Sequence, residues 1–289
     1  GNYYGYEPRA IGKQDMPLPW CNELEQMLCA RMGEDAPLRL AALWYNLGDE
    51  INAATRVAYM DLITELYTKN FTSQIGQWCQ EHGVIYTGHL VEDSGNHTRL
   101  ASGAGHFFRA EFGQTMAGID LIDNQLIPGF DNPTYRNNLG EIDGEEFTYA
   151  LAKYASSAAH IDAKKQGRSL CESATQGSLK QLKWIADNLI SRGINQMMLN
   201  YREGGGFGQG GGKNPQYRYF SRLTAYATRL CKLFRGGRML APAAVLYHAE
   251  AEWACGKYMN CARPIKVMAQ NQIDCDILPL DVFTTDNYQ

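Results

Sequence analysis

The chain has no long hydrophobic run and no concentration of positive charge. Its apolar stretches, such as residues 240–247, are far shorter than the roughly 20 residues that a membrane-spanning helix requires. Lysine and arginine together number 27 against 31 acidic residues, giving a net charge of −4, and the basic residues are dispersed. Nucleic-acid-binding surfaces need a concentrated basic face, so we expect neither a nucleic-acid nor a membrane partner.

The eight cysteines include no C-x-x-C pair, which argues against a zinc ribbon or a thioredoxin-like motif. Several of them lie within apolar helix or strand patterns, as small buried side chains with free thiols do. Scattered free thiols favour a reducing, cytoplasmic location. The first residues show neither a basic nor an apolar region of a signal peptide, although one could have been removed, so a periplasmic or secreted location stays open.

Motifs for metals and phosphate groups are also missing. The sequence contains no H-x-x-x-H pair and no acidic loop of the EF-hand type, so its spacing predicts no metal site. The glycine-rich stretch 204–212 is followed by Lys213 and Asn214, whereas a phosphate-binding loop requires Ser or Thr after the lysine. We therefore predict no cofactor and interpret this stretch as a surface loop or, alternatively, a flap over a cleft.

Two short apolar runs each end on a carboxylate. Residues 84–91 precede Glu92, and residues 168–171 precede Glu172. The first run follows a long apolar stripe, spaced at three or four residues, that predicts a helix over 53–81. Each run is typical of a buried parallel strand, and a carboxylate at the C-terminal end of such a strand lies where barrel enzymes place their chemistry.

The remaining strand candidates suggest an α/β chain with two parts. Runs at 118–122 and 194–199 complete four parallel strands, whereas a closed (β/α) barrel needs eight. We therefore expect either an open sheet or, preferably, an incomplete barrel over residues 1–238. Two further strands, at 243–247 and 272–278, predict the beginning of a second α/β domain over 239–289. Residues 124–144 are rich in Asn, Asp, Gly and Pro, which predicts a long loop, and 100–115 is predicted to be helical.

A pair of carboxylates can serve as the acid and the base or nucleophile of a glycoside hydrolase. Glu172 is the first candidate, although a carboxylate that satisfies the N-terminal amides of the following helix is an alternative. Glu92 and Asp120 are candidates for the second acid, and for Glu92 a solvated loop position is an alternative. Since Asp93 follows Glu92, one of these two must face inward. Five residues are candidates for substrate binding: His89, Asp123, Tyr201, Glu203 and Trp20.

Several segments resemble one family in the same order along the chain. They are similar to those of large bacterial glycoside hydrolases of the α-L-rhamnosidase-like group, over most of residues 17–282. The segments are FTSQIGQWCQEHGVIYTGHLVE (71–92), AGIDLI (117–122), SSAAH (156–160) with SLCES (169–173), LKWIAD (182–187), RGIN (192–195), NPQY (214–217), AVLY (244–247) and AEAEW (249–253).

The resemblance implies a (β/α) barrel followed by a flavodoxin-like domain, and hydrolysis of terminal glycosidic bonds in glycans. It assigns Glu172 as a catalytic carboxylate and carbohydrate as the partner. The second acid stays open between Glu92 and the aspartates at 120 and 123. Relatives commonly carry a His and aromatic residues after strand 194–199, where this chain has Asn200 to Glu203 and then glycines. A non-catalytic carbohydrate-binding or scaffold module is therefore the alternative function, and the sugar and the oligomeric state are left open.

Overall fold

A computed structural model describes most of the chain. The residues it describes are 10–14, 16–90, 93, 97–100, 103–122, 124–132, 134–137, 140–175, 177–201, 215–237, 239–286 and 288. The helices are α1 (Leu24–Met32), α2 (Ala36–Arg39), α3 (Asp49–Tyr67), α4 (Ser73–Glu81), α5 (Phe107–Glu111), α6 (Leu151–Ile161), α7 (Leu179–Ser191), α8 (Phe220–Phe234), α9 (Ala249–Cys255), α10 (Ala262–Gln270) and α11 (Asp281–Thr284). The strands are β1 (Ala117–Ile122), β2 (Thr134–Asn137), β3 (Gly140–Asp143), β4 (Ser169–Thr175), β5 (Gln196–Tyr201), β6 (Ala243–Leu246) and β7 (Cys275–Leu278).

The predicted helix over 53–81 is confirmed, with one interruption. Helices α3 and α4 are joined by a π-helical turn at Thr68–Thr72. A π turn adds a residue to the helical repeat, so the face that looks inward changes across it. Met60 in α3 is buried as the stripe predicts, whereas Phe71 and Trp78, from the same predicted stripe, are exposed.

The main sheet is parallel, with strand order β1-β4-β5. Helix α6 connects β1 to β4 and α7 connects β4 to β5, so consecutive strands of this sheet lie side by side. Side chains alternate between the two faces of a strand. Ile119 and Cys171 are buried on the face that α6 covers, while Asp120 and Glu172 share the opposite face. The predicted strands at 118–122, 168–171 and 194–199 are confirmed.

The prediction of a strand over 84–91 is wrong for the described residues 84–90, which form no strand. The segment instead passes against β1 where two glycines meet. A side chain on Gly118 would come within 2.5 Å of the carbonyl oxygen of Gly88. Individual hydrogen bonds rather than a strand ladder bind the segment. The backbone N–H groups of Thr115 and Met116 donate to the Tyr86 carbonyl, and the side chains of residues 114 and 115 accept the N–H groups of Gly88 and Tyr86. The apolar pattern located an extended segment correctly but could not show how it is hydrogen-bonded.

Two further predictions need correction. The loop expected over 124–144 contains an antiparallel hairpin, in which Thr134 pairs with Asp143 and Tyr135 with Ile142. Of the helix expected over 100–115, only α5 is helical among the described residues. His106 begins it, because its ring Nδ1 accepts the N–H of Arg109. Both differences come from local side-chain bonding and turn geometry that composition does not reveal.

The last fifty residues form a second parallel pair, β6 with β7, connected through α9 and α10. The strands predicted at 243–247 and 272–278 are thus confirmed. Their apolar side chains, such as Val245 and Ile277, belong to the same buried cluster as Ile119 of the main sheet. The chain is therefore of mixed α/β class, with a three-stranded sheet and two two-stranded sheets among the described residues. No helix in that part of the chain combines the length and apolarity needed to cross a bilayer.

Candidate functional site

Two acidic side chains lie side by side on the open face of the main sheet. Asp120 of β1 and Glu172 of β4 are paired in the parallel register, so the two side chains leave the sheet on the same face. The imidazole of His89 lies between them. Its Nδ1 is 4.0 Å from Asp120 Oδ1, and its Nε2 is 3.9 Å from Glu172 Oε2. These distances exceed hydrogen-bond length and leave the three groups close but not locked together.

The two carboxylates differ in their access to solvent. The Asp120 side chain is 3% exposed, whereas those of Glu172 and His89 are each 28% exposed. Met198 of β5, which pairs with Glu172, is half exposed. A molecule approaching the open face of the sheet therefore meets Glu172, His89 and the Met198 thioether, with Asp120 beneath them.

A third acid supports Asp120 from below. The backbone N–H of Asp93 donates to Asp120 Oδ1 at 3.0 Å, and the backbone N–H of Asp120 donates to Asp93 Oδ2 at 2.5 Å. Gln125 donates to the backbone carbonyl of Asp93. The His97 ring adds an ion-pair contact, with Nε2 at 3.0 Å from Asp93 Oδ1. These buried contacts fix Asp93 to β1.

The acids generate a strongly negative local field. Burial raises the pKa of the Cys171 thiol, and the carboxylates of Asp120, Asp93 and Glu172 raise it further. A thiol with a raised pKa stays protonated, so Cys171 does not act as a nucleophile here. Only a cation, a proton or a hydroxyl donor would offset this field.

One subset of the site has the ligands that a cation uses. Ligand atoms of His89, Asp93 and Asp120 all lie within 4.8 Å of one another. One imidazole nitrogen and two carboxylate oxygens suit a divalent ion such as zinc or manganese. His89 Nδ1 is inaccessible to solvent and has no hydrogen-bond partner in the described part of the chain. The spacing in the sequence did not indicate this grouping, because its members lie on three separate segments.

Some of the predicted site residues lie together in the structure, and others do not. Glu172, Asp120 and His89 are brought together, but Glu172 lies within β4 rather than directly after the strand. The alternative of a helix-capping Glu172 is wrong, because Ser178 caps α7 by accepting the N–H of Gln181. Trp20 is half exposed beside Pro19, whose carbonyl accepts the hydroxyl of Tyr59 on α3.

The remaining candidates cannot be placed. Glu92, Asp123 and Glu203 lie outside the described residues, as does the glycine-rich stretch after Glu203. Tyr201 ends β5, but its side chain is also outside the described part.

Sequence reasoning missed His97 and Gln125 and gave Asp93 no role of its own. The signal for Asp93 was the pair of adjacent acids at 92 and 93, of which one had to face inward. Asp93 does so, with a side chain that is fully buried. The four-residue spacing between Asp93 and His97 was the only local hint of their contact. Nothing in the sequence pointed to Gln125.

No protein-family model, curated protein or solved structure matches this chain. The site must therefore be interpreted from its own geometry.

Proposed function

We propose that this chain carries the catalytic region of a glycoside hydrolase that uses a pair of carboxylates. The observation that supports this is the register pairing of Asp120 with Glu172 on one open sheet face, with His89 between their carboxylates. Glycoside hydrolysis needs one carboxyl group to protonate the leaving oxygen and another to act as nucleophile or to activate water.

The difference in solvent exposure between Glu172 and Asp120 suggests a separate catalytic role for each. Glu172 is accessible from the open face and is suited to act as base or nucleophile toward the sugar. Asp120 is the proposed proton donor, because its carboxyl group is buried, which favours the protonated form, and lies next to the His89 ring. A separation of about 5–5.5 Å in the substrate complex would give retention of configuration, and roughly 6.5–9.5 Å would give inversion.

The proposed fold follows from the same sheet. We propose that strands β1, β4 and β5 with helices α6 and α7 are successive units of an incomplete (β/α) barrel, in which the acids would lie on the interior face. The unit built from β6, α9, α10 and β7 is proposed as the beginning of a flavodoxin-like domain. Terminal glycosidic bonds of glycans are the proposed substrates, on the resemblance of residues 17–282 to the α-L-rhamnosidase-like group.

The experiment that tests this function is turnover of a panel of aryl glycosides by the wild type and three variants. Glu172→Gln and Asp120→Asn should each lower kcat by about 10²–10⁴-fold, since each removes one proton-transfer or nucleophilic group. The control Glu81→Gln changes an exposed carboxylate of α4 and should keep full activity. Normal rates in Glu172→Gln, with unchanged thermal unfolding, would reject the assignment.

One observation favours a second function, carbohydrate binding without turnover. Parallel sheets normally have both faces covered, yet Glu172 and Met198 leave this face open among the described residues. Such a surface could hold a sugar without cleaving it. Calorimetry on a glycan panel separates the two, because binding with no hydrolysis of any bound glycan would support the module, and hydrolysis would support the enzyme.

A further inference from the structure

The side chain of Gln114 binds the backbone directly before His89. Its amide is 2% exposed and makes three hydrogen bonds. Gln114 Oε1 accepts the N–H of Gly88 at 2.9 Å, while Gln114 Nε2 donates to the Gly88 carbonyl at 3.1 Å. A carboxamide has the same donor and acceptor as a peptide group. Gln114 therefore bonds both polar groups of Gly88, as a neighbouring strand would, in a segment that forms no ladder with β1.

The Gln114 amide is itself held by a buried acid. Gln114 Nε2 donates to Glu111 Oε1 at 2.8 Å, and the other oxygen of Glu111 accepts the N–H of Gly118 at 3.1 Å. Lys165 Nζ donates to the backbone carbonyls of Glu111 and Gln114, both at 2.8 Å. Glu111, Gln114 and Lys165 are all at least 98% buried, so water does not compete for these bonds.

Gly88 and Gly118 connect the Gln114 hydrogen bonds to the candidate site. Because Gly118 has no side chain, the carbonyl of Gly88 comes to rest against β1 two residues before Asp120. A shift of Gly88 along the strand would carry the His89 ring away from Asp120 and Glu172, since His89 is the next residue.

We propose that Gln114 is a positioning residue, which places the His89 imidazole between Asp120 and Glu172 by fixing both polar groups of Gly88. The placement itself is a property of the structure, and only its consequence for turnover rests on the proposed function. Gln114 touches none of the three site side chains in a hydrogen bond and acts through the backbone alone.

A neighbouring side chain supplies a matched control. Thr115 Oγ1 accepts the N–H of Tyr86 at 3.0 Å, so it binds the same segment three residues before His89. Thr115→Val removes that bond while keeping the side-chain shape. If Gln114 only stabilised the segment, its loss and the loss of the Thr115 hydroxyl would have similar effects on His89.

The test follows the His89 ring by NMR in protein labelled with ¹⁵N at its six histidines, with His89→Gln to identify the signal. In Gln114→Ala and in the volume-conserving Gln114→Met, we expect the His89 ring resonances to shift toward those of unstructured histidine and to broaden. In Thr115→Val we expect them to stay in place. If hydrolysis is found, Gln114→Met should lower kcat on the order of 10²-fold, more than it changes KM, since small displacements of reacting groups cost this much.

Three results would overturn the proposal. The first is an unchanged His89 signal in a folded Gln114→Met protein. The second is an equal disturbance of that signal in Thr115→Val. The third is failure of both Gln114 variants to fold while Thr115→Val folds, which would make Gln114 a residue of general stability. Because the NMR signal needs no substrate, a chain without hydrolase activity would refute the proposed function and leave this test intact.

Discussion

Asp93 and Asp120 each accept a hydrogen bond from the other's backbone N–H, although 27 positions separate them in the chain. Each carboxylate thereby accepts a buried backbone N–H. The pairing fixes Asp93 to β1, where the Asp120 carboxylate lies beside the His89 ring.

The first prediction concerns this reciprocal pair. Asp93→Ala should lower the free energy of unfolding by about 2 kcal/mol, because it leaves the Asp120 N–H buried without an acceptor. Asp93→Asn should lower the free energy of unfolding by a smaller amount, since its side-chain oxygen can still accept that N–H. Denaturation by urea measures both.

The exposed aspartate at 35, which pairs with Arg39 one turn along α2, provides the control. Asp35→Ala should cost less than about 1 kcal/mol, as exposed ion pairs do. If Asp93→Ala proved no more costly than Asp35→Ala, the reciprocal bonds would not stabilise the site.

A second prediction concerns Arg109, which joins the first part of the chain to its last helix. Its Nε and Nη2 donate to the two carboxylate oxygens of Asp281, both at 2.8 Å, and its Nη1 donates to Asp61 Oδ1 at 2.8 Å. These carboxylates raise the pKa of the guanidinium against the effect of burial. Arg109→Met leaves the Asp281 carboxylate without its guanidinium partner, while Asp61 keeps only Arg31 at 3.6 Å, and should reduce the free energy of unfolding by about 3–5 kcal/mol.

For comparison, Arg31→Met breaks an exposed pair with Glu65 and should cost at most about 1 kcal/mol. Urea denaturation of the two variants, side by side, gives the measurement. Equal losses would show that Arg109 contributes no more than a surface ion pair.

The third prediction is a pH effect at Glu146, a buried residue in the π turn before α6. Burial raises its pKa to about 7. The folded state therefore holds a proton that the unfolded chain releases near pH 4.5, so stability is present below pH 4.5 and is lost as the pH rises to 7. Glu146→Gln removes this loss and should gain about 3 kcal/mol relative to the wild type between pH 4.5 and pH 8.

The measurement is the free energy of unfolding at several pH values. The free energy of unfolding of Glu81→Gln, a change at an exposed position, should vary with pH in the same way as that of the wild type. A Glu146→Gln curve that also runs parallel would contradict the expected titration.

The fourth prediction is also a pH effect on stability, but here stability is lost as the pH falls rather than as it rises. Burial lowers the pKa of His248 to about 4, helped by the charge of Arg99. His248 stays neutral in the folded state, where its Nδ1 accepts the N–H of Cys261, so its contribution is present above pH 6.5 and is lost as the pH falls to 4. His248→Asn keeps an acceptor near that position and should abolish about 3 kcal/mol of this acid-induced loss.

Unfolding curves between pH 4 and 7 test this effect. The exposed ring at position 82, which stacks on Trp78, offers a control through His82→Asn. We expect the acid sensitivity of that variant to match the wild type. The prediction for His248 is contradicted if His248→Asn is as acid-sensitive as the wild type.

The sequence by itself determined the local elements. The three- and four-residue apolar spacing defined the helix over 53–81, and the apolar runs gave β1, β4, β5, β6 and β7 within a few residues. These features depend on neighbours along the chain, which periodicity records. For the same reason the sequence placed the carboxylates at 120 and 172 on parallel strands, although both lie within their strands rather than after them.

The surroundings of those carboxylates became visible only in three dimensions. Residues 84–90 are held by backbone bonds to Tyr86 and by the Gln114 side chain at Gly88 rather than by a strand ladder, and His89 lies between Asp120 and Glu172. Hydrogen bonds between side chains and distant backbone groups leave no period in a sequence. The π turn at 68–72 likewise had no signal in the apolar spacing, and at its end the backbone of Thr72 lies directly against Gly113.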